Sequence, residues 1–356
     1  MSEAETWKPS TIWLAGGAVV LGAMLWWKLS KPDAPRASEM TGQVAVVTGG
    51  TSGIGRETCD RLVSKGVFVV LACRDLEAGR KVAAQLQRLA PQGHSAAVAE
   101  AMLCDLASLR SVVAFTDAFR SRGLKCHLLV LNAGMCPPTH QKEPEMTQDG
   151  YEVAFQTNHL SHFALTLGLR DVLEASKPAR VVVVSSSLHA KRRGELSMDP
   201  RLKVESLAAL REDWALRPSG MSLYKDSKLA NILFMKHLSR QVSAEVFTVN
   251  ALSPGFIPDT GLSRNQGARG RLFLKYVMAK LPLSFVATIE QGADCVEYVA
   301  LSKKLTGFTG RYIGGKPLGE LKVSDEGDDV ELALQLWNLS EDLVRPLFPP
   351  DHPLLS

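Results

Sequence analysis

The sequence predicts a single α/β domain built on a doubly wound, mainly parallel sheet, with a membrane anchor in front of it. Three observations predict this. Short apolar runs alternate with amphipathic runs from residue 42 onward, a glycine cluster follows the first apolar run, and 17 uncharged residues, 11–27, precede them all. Alternation of this kind sets parallel strands side by side with helices on both faces.

The N-terminal run reads TIWLAGGAVVLGAMLWW. As a helix it is about 25 Å long, a little short of a hydrocarbon core of about 30 Å, and it suits a thin bilayer such as the endoplasmic reticulum. Trp13, Trp26 and Trp27 lie towards its ends, as interfacial anchors do. Glu3 and Glu5 stand before it, and Lys28, Lys31 and Arg36 after it, so the positive-inside rule puts the body of the protein in the cytosol. A cleaved signal peptide would open on a basic region, and this one is mainly acidic. Residues 1–30 are read as a single-pass anchor, 31–41 as a polar linker with two prolines, 42–345 as one folded domain and 346–356 as a tail.

Within the domain, Val44 to Thr48 is a buried apolar strand and Gly55 to Lys65 a helix. Val67 to Cys73 is a second buried strand, Leu76 to Leu89 a charged amphipathic helix, Ala97 to Leu103 a weaker strand and Leu109 to Arg122 a helix. Leu128 to Leu131 is a strand, Gly150 to Glu174 largely helix, and Arg180 to Val184 a strand whose four consecutive valines suit burial on both faces. Met221 to Gln241 is a long helix and Val246 to Leu252 a strand. There is no internal repeat and no second domain.

With 46% apolar residues the chain can bury a sizeable core. A net charge of +4 over 356 residues gives no reason to expect nucleic acid as a partner. The cysteines at 59, 73, 104, 126, 136 and 295 lack zinc or redox spacing and read as reduced thiols of a protein in a reducing compartment. His159 and His162 share a helix but lack further ligands; they are read as packing residues, with no metal site.

The glycine cluster carries the first chemistry. Thr48-Gly49-Gly50-Thr51-Ser52-Gly53-Ile54-Gly55 follows a strand and opens a helix, the context in which glycines let the backbone approach a pyrophosphate at a helix N-terminus. Its spacing, TGxxxGxG, resembles that of the short-chain dehydrogenase/reductase superfamily, and the resemblance covers residues 42–345. It implies a Rossmann fold with a seven-stranded, mainly parallel sheet, a nicotinamide dinucleotide cofactor and hydride transfer between that cofactor and a carbonyl or hydroxyl carbon.

The second strand ends in Arg74-Asp75, where such folds meet the adenosine ribose. An acid there favours NAD, and an arginine accommodates the 2′-phosphate of NADP. Arg74, helped by Arg56, favours NADP(H); Asp75 keeps NAD open. The resemblance also implies that Asp105 bonds the adenine amino group and that Asn132, in Leu131-Asn132-Ala133-Gly134, lies beside the adenine ribose. Leu131 stands where the family has a first Asn. Pro254 and Gly255 resemble the turn whose backbone meets the nicotinamide carboxamide; the usual Thr comes one place late, at Thr260, with Asp259 in its slot.

Tyr224 and Lys228 are four apart on the long helix and share a face. A free phenol, with a pKa of about 10, is a poor base at neutral pH, and a neighbouring ammonium is expected to lower it. Tyr224 then exchanges a proton with the substrate oxygen. Of Ser185, Ser186 and Ser187, the family pattern selects Ser186 to hold that oxygen. Asn158 matches the family's structural Asn, which kinks its helix and serves the Lys. Together Asn158, Ser186, Tyr224 and Lys228 are the expected catalytic set, and Gly49, Thr51, Ser52, Gly53, Ile54, Gly55, Arg74, Asp105, Asn132, Tyr224, Lys228, Pro254 and Gly255 the cofactor contacts.

Tyr-Lys-Asp-Ser-Lys and Asp259-Thr260-Gly261-Leu262 resemble light-dependent protochlorophyllide reductases, while CDLASLRSV and NHLSHF are similar to both those enzymes and the retinol-dehydrogenase-like branch. Ala230 replaces a cysteine of the former, no plastid transit peptide is evident, and an anchor fits the latter. The 38 positions from Ser186 to Tyr224 include Lys191-Arg192-Arg193 and Trp214, and are expected to line or lid the pocket. Residues 264–286 are basic and amphipathic: a membrane-surface element or a helix covering the pocket. A lipophilic substrate from the bilayer follows, whether retinoid, polyprenyl, steroid or lipid carbonyl. The long helix often builds dimers in the family, so a homodimer is a further expectation. A catalytically silent cofactor-binding sensor or scaffold is the alternative of another class.

Overall fold

The computed structural model describes residues 40–91, 98–138, 143–191, 199–217, 219–258 and 286–349. Strands β1 (Val44–Thr48), β2 (Phe68–Cys73), β3 (Ala99–Leu103), β4 (Leu128–Leu131), β5 (Ala179–Val184), β6 (Phe247–Leu252), β7 (Tyr312–Gly314) and β8 (Gly319–Glu320) form one sheet in the order β3-β2-β1-β4-β5-β6-β7-β8. Neighbours are parallel up to β7; β8 returns antiparallel. The sheet therefore has eight strands where seven were expected. The eighth is two residues long, hairpinned onto β7 through Gly315 at φ +82°, and too short to leave a period in sequence.

Successive residues of the central strands enter two cores in turn. Val46, Val70, Leu129, Val181 and Val183 face one, with α3 (Leu109–Ser121), α4 (Ser161–Gly168), α5 (Leu207–Ala215), α6 (Gly220–Gln241) and α8 (Val330–Val344). Ala45, Val47, Leu71, Val130 and Val182 face the other, with α1 (Gly53–Ser64), α2 (Leu76–Leu86) and α7 (Ile289–Leu301). Strands buried on both sides need no polar alternation, which is why they read as unbroken apolar runs. The packed body reaches Phe348, which is buried in the first core.

Two of the helices on the cofactor side start at a side-chain cap. Asp75 accepts from Ala78 N at 2.9 Å at the head of α2, and Ser108 caps α3. The order reverses at β1 and β4: β2 lies on one side of β1 and β4 on the other, and the crevice outside the carboxyl ends of these strands is where such sheets take ligands. Among the described residues no helix is long and apolar enough to cross a membrane. The run 11–27, Arg192 and Arg193, Asp259 and Thr260, and the basic stretch as far as Phe285 lie outside the described residues.

Candidate active site

At the carboxyl end of β1 the backbone turns through Gly49 (φ +67°) and Gly53 (φ +55°), angles that glycine alone adopts without strain. Gly55 is needed for space: a Cβ there would lie 2.3 Å from Gly49 O. The helix that follows has no side-chain cap from Ser52 and no acid in its first turn. Its end is open to an anion, and Thr51, Ser52, Gly53 and Ile54 are partly or fully exposed over it. This is a cradle into which a pyrophosphate fits.

The turn is braced from behind. Asn132 Nδ2 donates to Thr48 O at 2.9 Å, and the backbone N–H groups of Asn132 and Ala133 donate to Thr48 Oγ1 at 2.9 and 3.0 Å. With both lone pairs taken, the Thr48 hydroxyl has only its proton to give, and it lies 2.9 Å from His162 Nε2 and 3.3 Å from Val130 O. His162 Nδ1 lies 3.1 Å from Asn158 O, which can only accept, so the ring is neutral with its proton on Nδ1. Burial pushes His162 down to about 3, in keeping with that tautomer. His162, read from sequence as packing, thus links the nucleotide turn to Asn158. His159 does pack, among Phe155, Phe163 and Phe234, with Nε2 on Ser340 Oγ at 2.9 Å.

At the end of β2, Arg74 is exposed and forms no ion pair among the described residues. The neighbouring Asp75 carboxylate is engaged as the cap of α2. Arg56 is held by Asp60 at 2.8 Å and Gln85 at 2.7 Å. Asp105, half-buried at the end of β3, accepts from Ala107 N at 3.0 Å. After β6, Pro254 is half-buried and Gly255, at φ +86°, is exposed.

The expected catalytic residues converge from three elements. The run Gly150 to Glu174 is not one helix: a short turn at Val153–Phe155 leads into a π-helical segment, Gln156–Leu160, and then α4. The widened turn carries Asn158 inward. Its side chain accepts from Met135 N at 2.8 Å and donates to Met135 O and Ser227 Oγ, both at 2.9 Å. Ser227 in turn donates to Tyr224 O at 2.7 Å. Glu152, wholly buried, caps this segment on Ala154 N and Phe155 N, and burial pushes it up to about 7.

The three serines after β5 part ways. Ser185 Oγ donates to Lys228 O at 2.9 Å, the Ser187 amide donates to Ser253 Oγ at 3.1 Å, and the Ser186 hydroxyl interacts with the Tyr224 phenol. Ser186 is also held at its carbonyl by His189 Nδ1, 2.7 Å away, while His189 Nε2 accepts from Ser324 N. Nothing in the sequence marks His189; Thr48 opens the glycine motif and Ser227 lies within Tyr-Lys-Asp-Ser-Lys, but neither string shows that these hydroxyls brace the site.

Lys228 Nζ donates to Val184 O at 3.0 Å and lies 5.5 Å from the centre of the Tyr224 ring. Burial lowers its pKa to about 8. The expectation that the ammonium would lower the phenol is not met in this geometry. Burial dominates at Tyr224 and pushes it up, against the smaller pull of Ser186. Tyr224 therefore stands as a proton donor. All six cysteines are free and buried, and Cys136 lies close enough to Tyr224 and Lys228 to influence both.

Comparison with known proteins shows the family. The family profile described as short chain dehydrogenase matches residues 43–198. The WW domain-containing oxidoreductase of Gallus gallus is 38% identical over 309 residues, covering 86% of this chain and 69% of that protein. Retinol dehydrogenase 14 of Homo sapiens is 33% identical over 344 residues, covering 91% and 95%. A crystal structure of an uncharacterized protein from Mycobacterium Paratuberculosis superposes with TM-score 0.62 at 28% identity, covering 88% of this chain and 98% of that one. The Pseudomonas aeruginosa RhlG/NADP active-site complex superposes with TM-score 0.57 at 22% identity, covering 83% and 97%, a likeness of fold.

Proposed function

This chain belongs to the short-chain dehydrogenase family, in its retinol dehydrogenase-like branch, and from that premise we propose that it is an NADP(H)-dependent reductase of a lipophilic carbonyl. The observation that carries the reading is the meeting of Ser186 and Tyr224 above Lys228 and Asn158, at the same sheet end as the glycine cradle. The dinucleotide, when bound, supplies the hydride. Gly49, Thr51, Ser52, Gly53, Ile54 and Gly55 hold its pyrophosphate, and Asp105, Asn132, Pro254 and Gly255 flank its two ends.

Arg74 supports the choice of NADP: it is exposed at the end of β2 with no ion pair among the described residues, while the Asp75 carboxylate that would bond a ribose hydroxyl is tied into α2. Ser186 holds the substrate oxygen. Tyr224 delivers a proton to it as negative charge develops, and the buried Lys228 ammonium, aimed by Val184 O, stabilises the phenolate left behind. Asn158 and Ser227 fix the helix turn that carries both groups.

The lipophilic class is supported by the retinol dehydrogenase relatives and by the apolar run 11–27, which we read as an endoplasmic-reticulum anchor holding the domain in the cytosol beside its substrate. A homodimer is part of the proposal; α6 itself is mostly buried within the single chain. The test is NADPH oxidation by the purified full chain in detergent, against retinal, a polyprenal, a steroid ketone and short aldehydes. Turnover of a long apolar carbonyl is the expected result. Tight NADPH binding with no turnover of any carbonyl would move the protein to the sensor reading, and no NADPH binding would overturn the cofactor assignment.

A further inference from the structure

Ser186 stands just outside the sheet. The Ser185 amide still donates to Leu252 O at 2.8 Å, and the chain then enters a single 3₁₀ turn, Ser187–His189. Ser186 caps that turn, its Oγ accepting from Leu188 N at 3.2 Å. A turn of three residues is a weak support for a group that must meet a substrate atom. The stronger hold comes from His189. Its backbone N–H and its ring Nδ1 both reach the Ser186 carbonyl, at 3.1 and 2.7 Å. On the far side of the ring, Nε2 lies 3.2 Å from the amide of Ser324, 135 residues further along the chain.

These two partners settle the state of the ring. A carbonyl only accepts and a backbone amide only donates, so the proton sits on Nδ1 and the lone pair on Nε2. Burial lowers the pKa, so the imidazole is neutral at pH 7. A charged ring would set a second N–H against that of Ser324. The ring is also packed, 2% exposed, with its plane edge-on to Tyr312 of β7 and the centroids 4.9 Å apart.

The far support is itself anchored. Ser324 Oγ accepts from Gly327 N and Ser324 O from Asp328 N, both at 3.1 Å. Asp328 pairs with Lys236 of α6 at 2.8 Å, and Glu326 pairs with Lys191. Gly327 lies against both the ring and α6: a Cβ there would be 3.6 Å from His189 Cδ2 and 3.1 Å from Cγ2 of Ile232. Ile232 is one turn past Lys228, so the support rests on the helix that carries the other catalytic groups.

We propose that His189 is the positioning residue of Ser186: its Nδ1–H holds the Ser186 carbonyl, and through it the hydroxyl that meets the substrate oxygen, while Ser324 holds the ring. This rests on the reading of the chain as a carbonyl reductase. The bond at Nδ1 sets the serine, and the bond at Nε2 sets the tautomer that can make it.

The test uses the full chain in detergent and four variants: His189→Asn, His189→Gln, Ser186→Ala and Ser186→Ala/His189→Gln. Asn places an amide N–H where Nδ1 stood and keeps the bond to Ser186 O. Gln places its amide where Nε2 stood and keeps only the bond to Ser324. Steady-state kinetics are taken with whichever of retinal, the polyprenal, the steroid ketone and the short aldehydes the wild type reduces fastest, and NADPH affinity by nicotinamide fluorescence. His189→Gln is expected to lower kcat by about tenfold to a hundredfold, and His189→Asn to recover it to within about threefold of wild type, with NADPH affinity within about twofold in both. In the Ser186→Ala background, His189→Gln should change kcat by less than about twofold, because its route to the chemistry is already gone. Equal losses in the Asn and Gln variants would overturn the proposal, as would an unchanged kcat in His189→Gln or the same loss in both backgrounds. If the histidine variants do not fold, ¹⁵N NMR of histidine-labelled wild type decides, with the His189 ring identified by its contact to Tyr312. A proton on Nδ1 at neutral pH supports the proposal; a proton on Nε2, or a charged ring, sinks it. Should the wild type reduce no carbonyl, the reductase reading fails by itself, and the same spectrum decides the bond to Ser186.

Discussion

The turn at Gly49–Gly55 and the cluster around Tyr224 sit at the same end of one sheet, and they are built from opposite materials. The turn is backbone: seven consecutive residues, two positive φ angles, and a space that a single Cβ would fill. The cluster is side chains from separate segments, with Asn158, Ser186, Ser227 and Lys228 each bonded to a group far away in sequence. The first is spoiled by adding an atom, the second by removing one. A binding surface for an anion needs only oriented N–H groups, whereas moving a proton needs particular atoms at particular ionisation states.

The sharpest break comes on the cluster side. Tyr224→Phe deletes one oxygen and is expected to lower kcat/KM about a thousandfold, within the usual span for a general acid, while NADPH affinity stays as it was. Steady-state kinetics beside a fluorescence titration checks it; retained activity would remove Tyr224 from the chemistry. On the turn side, Gly55→Ala adds one carbon 2.3 Å from Gly49 O. Backbone must yield there, and NADPH affinity is expected to fall by about tenfold to a hundredfold, the equivalent of a few kcal/mol of strain. Titration of a variant with unchanged circular dichroism gives the answer.

Acidity tells the two sides apart as well. Burial holds Lys228 at about 8 and keeps the Tyr224 phenol protonated beyond that, so the first group to change as pH rises is the ammonium. Below pH 8 it is charged and the site is complete; above it, kcat/KM for reduction should fall by about tenfold per unit, on the proton side alone. A profile that stays flat well above pH 8 contradicts this. The smallest effect belongs to the exposed edge of the nucleotide side. Arg74→Ala should cut the preference for NADPH over NADH by about tenfold, the worth of one exposed guanidinium–phosphate contact. An unchanged ratio would return the choice of nucleotide to Asp75.

The same contrast decides how much of the molecule is legible in its sequence. The turn, the buried valine strands and the Tyr224–Lys228 pair are legible because each is local: a period, a spacing of four, a glycine where φ must be positive. The eighth strand is not, being two residues whose only signal is their partner β7. Asn158 stands out by its motif, but the π-helical segment that turns it inward is set by the bonds to Met135 and Ser227 across the site. His162 reads as packing because its two partners, Thr48 and Asn158, lie on different elements. Arg217 and Asp226 look like ordinary surface charges of a helix and its approach. Only the folding back of 199–217 makes them a buried pair.

The six thiols carry a consequence of another kind. Cys104 and Cys126 lie in the core on one side of the sheet, Cys59 and Cys295 in the core on the other, and burial raises the pKa of all four. At neutral pH the native protein offers an alkylating reagent almost no thiolate, and every labelling event records an opening of the structure. The molecule thus carries its own gauges of breathing, placed on both faces of the sheet, and the order in which they react would show which layer lets go first.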